Sequence, residues 1–165
     1  MASPSQKKRK DKYTSQGFLV GYWAKQGGFL GIPKLVLSGP DVRGLSHAEF
    51  RVFVAIVSQY QGNNNGDLCA TEKVMSEEGI SSPDTINRAI KMLLAKGLIV
   101  KTQNGGYSGK DGKRKPALYA VTWLPIDSID RLDNGSWVPK IKGTRTPLRT
   151  DFDQQFSGNI SYEAV

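Results

Sequence analysis

Apolar residues recur at helical spacing in two places along this chain. In the first, Phe50, Phe53, Val54 and Val57 fall at i, i+3, i+4 and i+7, which gives a helix one apolar face. Ser46 stands ahead of it as an N-cap, and Glu49 three residues on completes a capping box. "QGNNNGD" at 61–67 supplies the Gly and Asn residues that end such a helix. In the second, Ile86, Ala89, Ile90, Leu93 and Leu94 recur at i, i+3, i+4, i+7 and i+8. Ser82 caps it, Pro83 takes the first helical position, Asp84 suits the positive end of the dipole, and Lys96-Gly97 closes it.

Shorter elements lie around these two helices. Pro33 opens a brief segment that Gly39-Pro40 breaks. "DLCA" (67–70) has room for one small strand. "TEKVMSEEG" (71–79) reads as a short helix with Thr71 as cap, Glu72 near the positive end and Gly79 as stop. "LIVKTQ" (98–103) and "ALYAVTW" (117–123) read as strands, and Asn104 to Pro116 between them as a long, flexible hairpin tip. Beyond Pro125 the pattern weakens. Ile126, Ile129 and Leu132 predict a helical turn or two, and the residues after Trp137 a loosely held tail. Upstream, five glycines in 17–32 argue against a helix, and Phe18, Tyr22, Trp23 and Phe29 are expected to pack on the core.

The 165 residues allow one domain with tails, and a hydrophobic content of 38% allows one medium core. Three parts are expected: a basic arm at 1–16, a domain at 17–125 and an extension at 126–165. The formal charge is +8, which points to a polyanionic partner, most simply nucleic acid. Lys7, Lys8, Arg9, Lys10 and Lys12 in the arm face one acid, Asp11. The segment 138–150 adds Lys140, Lys142, Arg145 and Arg149 without an acid, and without the apolar spacing of a core. Both ends are therefore expected to hold a phosphate backbone through counterion release. Cys69 and His47 are each the only residue of their type, which excludes an intrachain disulfide and a zinc-finger ligand set. No apolar run approaches the ~20 residues of a membrane span. A soluble, cytoplasmic protein without cofactors is expected.

The predicted order is helix, short strand, short helix, tight turn, helix, strand, basic loop, strand. That is an α+β winged helix-turn-helix, a three-helix core plus a β-hairpin wing. Packing the apolar face of 82–96 leaves Thr85, Asn87, Arg88 and Lys91 outward, with Ser81, Ser82 and Asp84 at the leading end. These residue types suit a DNA major groove. Arg88 suits guanine O6 and N7, Asn87 suits adenine N6 and N7, and Thr85 a thymine methyl or a phosphate. Ser81 and Ser82 suit a phosphate. Asp84 either accepts from a cytosine amino group or serves the cap. In the wing, Lys110, Lys113, Arg114 and Lys115 suit phosphates, and Tyr107 a base or sugar.

The stretch from "LSHAEFRVFVAIV" to "GISSPDTINRAIKMLLAKGLIVKT" resembles the winged helix-turn-helix proteins of plasmids and phages. It is similar to the N-terminal domain of phage replication protein O and to plasmid replication and regulatory proteins. Leu45, Ser46, Glu49, Phe50, Arg51 and Val52 carry the first motif. Thr85, Arg88, Ala89, Ile90, Leu93, Gly97, Leu98 and Ile99 carry the second, and "LYAVTWLP" closes the wing. The resemblance covers about residues 33–125. It implies sequence-specific binding of double-stranded DNA, as a homodimer on repeated or palindromic half-sites. No long partner-recruiting domain follows, which favours a transcriptional regulator of a mobile genetic element over a replication or maintenance protein. An adaptor that binds protein, including through the C-terminal tail, stays open. Catalysis is not expected. There is no P-loop or G-x-S-x-G, "GGYSG" (105–109) lacks the helix and Lys-Ser/Thr pair of a phosphate loop, and Glu72, Glu77 and Glu78 read as helix start and solvated face.

Overall fold

The computed structural model describes residues 30–107, 114–130 and 140–152. The chain divides at Gly31/Ile32, and every element below belongs to Ile32–Val165. The basic arm with Lys7, Lys8, Arg9 and Lys10, nearly all of the aromatic lead-in, and Lys110 and Lys113 lie outside the described residues.

Two short helices, α1 (Lys34–Ser38) and α2 (Pro40–Arg43), lead into α3 (His47–Val57). The capping box ahead of α3 forms as the spacing predicts. Ser46 Oγ accepts from Glu49 N at 3.3 Å, and Ser46 N donates to Glu49 Oε2 at 2.7 Å. The buried face differs from the expected one. Val52, Phe53, Ala55, Ile56 and Val57 are buried, whereas Phe50 is 38% exposed and sits at the edge. The stripe is wider because α3 packs α5 on one flank and α4 and β1 on another.

Strand β1 (Leu68–Cys69) follows, then α4 (Glu72–Glu77) and α5 (Pro83–Ala95). Both helices end in the same way. Gly79 and Gly97 take φ of +74° and +62°. Ile80 N donates to Met75 O, Gly79 N to Ser76 O, Leu98 N to Leu93 O, and Gly97 N to Leu94 O. Each is a Schellman motif, sealed by an apolar contact between buried partners, Met75 with Ile80 and Leu93 with Leu98. Arg51 then fixes the turn between the helices. Its Nε and Nη2 donate to Glu78 O at 3.0 and 2.6 Å.

Strand β2 (Ile99–Gln103) and β5 (Leu118–Val121) join β1 in an antiparallel sheet of order β1-β5-β2. Between them, β3 (Gly106–Tyr107) pairs with β4 (Arg114–Lys115). The expected thirteen-residue tip therefore carries a short ladder of its own. A register shift between Lys101 and Gln103 interrupts the main ladder before it. A Cβ on Gly105 would lie 2.9 Å from Ala117 N, so the hairpin is tight there.

Central strand β5 is buried on both faces. Tyr119 and Val121 join the helical core, while Leu118, whose side chain alternates to the other side, packs with Ile129 and Ile141. Those two come from a further hairpin, β6 (Ile129–Asp130) with β7 (Lys140–Ile141). The helical turn expected over Ile126, Ile129 and Leu132 is thus extended chain where it is described. Ile126 and Ile129 sit three apart, but both are drawn to the apolar back of the sheet.

The loosely held tail expected after Trp137 is bound to the fold over residues 140–152, while 138–139 and 153–165 lie outside the described residues. Arg149 donates through Nη2 to Asp41, through Nη1 to Lys96 O and through Nε to Asp151, and its main-chain N donates to Thr122 O. Phe152 is 5% exposed and stacks edge-on against Trp123, which in turn meets Phe53. Ile141, Thr144, Arg149 and Phe152 hold this segment, at spacings that follow no helical or strand period.

Candidate nucleic-acid interface

Helix α5 positions most of the residues singled out from the sequence. Ser82 Oγ accepts from Thr85 N at 3.3 Å, so Ser82 makes the cap and Asp84 has only the helix dipole to serve at that end. Ile86, Ala89 and Leu93 are buried against the core. That anchoring turns Asn87, Arg88 and Lys91 to the exposed side, together with Ser81, Ser82 and Asp84, while Thr85 is half-buried.

Asp84, Asn87, Arg88 and Lys91, at i, i+3, i+4 and i+7, share one exposed face, with Asn87 and Arg88 at its two edges. Successive helical residues point ~100° apart. Asn87 lines a groove of about 660 Å³ between α5 and the β3–β4 hairpin. Arg88 turns to the other flank, where its charge and that of Lys96 reach Glu49 at the start of α3. The Glu49 carboxyl is held below the usual glutamate range, first by the hydrogen bond from the Ser46 main chain, then by the Ser46 side chain, with Lys96 and Arg88 adding to it.

Across the groove stand Tyr107 and Arg114, directly opposite each other in the β3–β4 ladder, and Lys115 next to Arg114. Tyr107 is 77% exposed. The sides of α4 contribute Glu72 and Lys73. Ile90 and Ala117, half-buried, line the groove beside the buried Ile86 and Tyr119. Burial raises the Tyr119 phenol above its ordinary range, so it stays neutral at physiological pH. The structure therefore brings Asn87, Tyr107, Arg114 and Lys115 around one space, with Arg88 and Lys91 outside it. Arg149 is drawn away from any such role into its contacts with Asp41 and Lys96 O.

Two residues without a role in the sequence pattern hold the site in place. Asn65 is fully buried. Its Nδ2 donates to Val121 O, Leu124 O and Pro125 O at 3.1, 3.2 and 2.8 Å, and its Oδ1 accepts from Val121 N at 2.8 Å. Gln59 pairs its amide with both main-chain groups of Cys69, at 2.8 and 3.0 Å, along the outer edge of β1. Asn65 and Gln59 look like loop and helix-end residues in sequence. Only the third Asn of "NNN" reaches the sheet, and nothing local distinguishes it.

Among the described residues no three His, Cys, Asp or Glu side chains gather as a metal site requires. No helix there is long and apolar enough to cross a membrane. No protein-family model, curated protein or solved structure matches the chain.

Proposed function

We propose that the protein is a winged helix-turn-helix DNA-binding protein of the bacterial nucleoid. In this reading α3, α4 and α5 are the three-helix core, α5 enters the major groove of double-stranded DNA, and the β3–β4 hairpin is the wing. It regulates transcription of a mobile genetic element as a homodimer on paired half-sites. The observation that carries the reading is the exposure of Asn87, Arg88 and Lys91 on a helix whose opposite face is fixed by Ile86, Ala89 and Leu93, with Arg114 projecting from a hairpin beside it. An exposed helix of this diameter matches the major groove, and exposed guanidinium groups match guanine edges and phosphates.

Selection of bound duplexes from a random pool tests this, followed by footprinting on the DNA flanking the gene. A defined motif in two half-sites about one helical turn apart is the expected outcome. Binding that leaves transcription unchanged but lowers copy number would assign replication or maintenance instead. Enrichment of no duplex would leave the adaptor reading.

A further inference from the structure

We infer that the groove between α5 and the β3–β4 hairpin binds an unpaired nucleic-acid strand, with a base stacked on Tyr107 and phosphates held by the cations beside it. This rests on the nucleic-acid reading for the sign of the ligand's charge, but not on duplex binding.

Tyr107 carries the inference first. It is the most exposed of the large apolar side chains described, at 77%. It is nevertheless fixed in a ladder, directly across from Arg114, and lines the groove. An aromatic ring carried on a paired strand yet left uncovered is suited to receive another flat surface. In a duplex the faces of the bases are already stacked on one another. Unlike a duplex, an unpaired strand offers a free base face together with phosphate charge, and base–aromatic stacking tolerates any sequence.

The groove lining points the same way. Ile90 and Ala117, half-buried there, present apolar surface where a hydrated phosphate backbone gains nothing. A base edge or sugar covers such surface well. The charged lining is Lys73, Arg114 and Lys115 against Glu72, so the balance is cationic. The Asn87 amide stands on the α5 side, within the same space, with donor and acceptor atoms for a base edge. The volume of about 660 Å³ suits one or two nucleotides, being within the ~300–1,000 Å³ of small-ligand pockets.

The test is fluorescence anisotropy of the full chain with labelled oligo(dT) of about twelve nucleotides, alongside the selected duplex. Wild-type protein should bind oligo(dT). Tyr107→Ala should weaken that binding about tenfold or more, and Tyr107→Phe should retain it, because stacking needs the ring and not the hydroxyl. Melting temperatures of both variants should equal that of the wild type, since the side chain is exposed. Glu77→Gln, exposed on α4 and outside the groove, should leave oligo(dT) binding unchanged. No binding to oligo(dT), or binding that Tyr107→Ala does not weaken, overturns the inference. If the duplex is still bound in that case, the proposed function stands alone. If neither ligand is bound, both fall.

Discussion

Arg149 Nη2 lies 2.7 Å from Asp41 Oδ2, joining residues 108 apart in sequence. The same guanidinium donates to the carbonyl of Lys96, the C-cap of α5, and lies 4.3 Å from the centre of the Phe152 ring. One side chain thus ties α2, the end of α5 and the C-terminal segment together. A cation at a helix C-terminus also opposes the negative end of the dipole.

Arg149→Met should therefore act on stability and not on DNA affinity. Removing the bonds to Asp41 and Lys96 O should cost about 2–3 kcal/mol. Denaturant unfolding measures this. Binding per folded molecule should stay within about twofold of the wild type, because the guanidinium is engaged within the fold. A large drop in affinity with unchanged stability would return Arg149 to the DNA backbone.

Asn65 should be the most sensitive polar position. Asn65→Ala leaves Val121 N and the carbonyls of Leu124 and Pro125 without their side-chain partner, and should cost about 3 kcal/mol or more. Asn64→Ala is the control. It removes bonds at a half-buried site, from Nδ2 to Gln59 O and from Gln61 N to Oδ1. Its cost should be nearer ~1 kcal/mol. Comparable midpoints for the two variants would contradict this ranking.

The capping box gives a pH dependence with a definite sign. Hydrogen bonds from Ser46 hold the folded-state Glu49 carboxyl below its unfolded value. Its contribution is therefore complete above the ordinary glutamate range and is lost as pH falls through the lowered value. Glu49→Gln should melt below the wild type near neutral pH, and the gap should close between about pH 5 and pH 3. A gap that widens on acidification would be incompatible with this linkage. Because the carboxyl is exposed, the effect should be modest, of order 1 kcal/mol or less.

On DNA, the two flanks of α5 should separate. Arg88→Ala should cost ~1–3 kcal/mol on the selected site and relax preference at one base pair. Equal losses on selected and scrambled duplexes would make Arg88 a phosphate ligand.

Neutralising Lys110, Lys113, Arg114 and Lys115 together should weaken binding to all duplexes. It should also flatten the slope of log affinity against log salt, by roughly one for each phosphate that is no longer neutralised. An unchanged slope would place the hairpin away from DNA.

Helices α3, α4 and α5, their ends, and their order with strands β1, β2 and β5 are legible in the sequence. Ser46 with Glu49, Thr71, Ser82, Gly79 and Gly97 act on bonds three to five residues away, so local chemistry decides them. The alternation of β5 and the stripe of α5 likewise follow from the period of the backbone. Which face of each element is covered is a matter for the assembled fold. Phe50 falls at the edge because α3 has more than one neighbour. Ile129 and Ile141 lie in strands because the back of β5 is apolar and open to them. Asn87 and Arg88, adjacent in sequence, come to different flanks because the anchoring of Ile86 and Ala89 sets the rotation of α5. Asn65 and Arg149 take their roles from partners 56 and 108 positions away. A contact over such a separation leaves no period and no spacing in the chain, since its loop-closure cost is offset only by bonds that exist once the fold is formed.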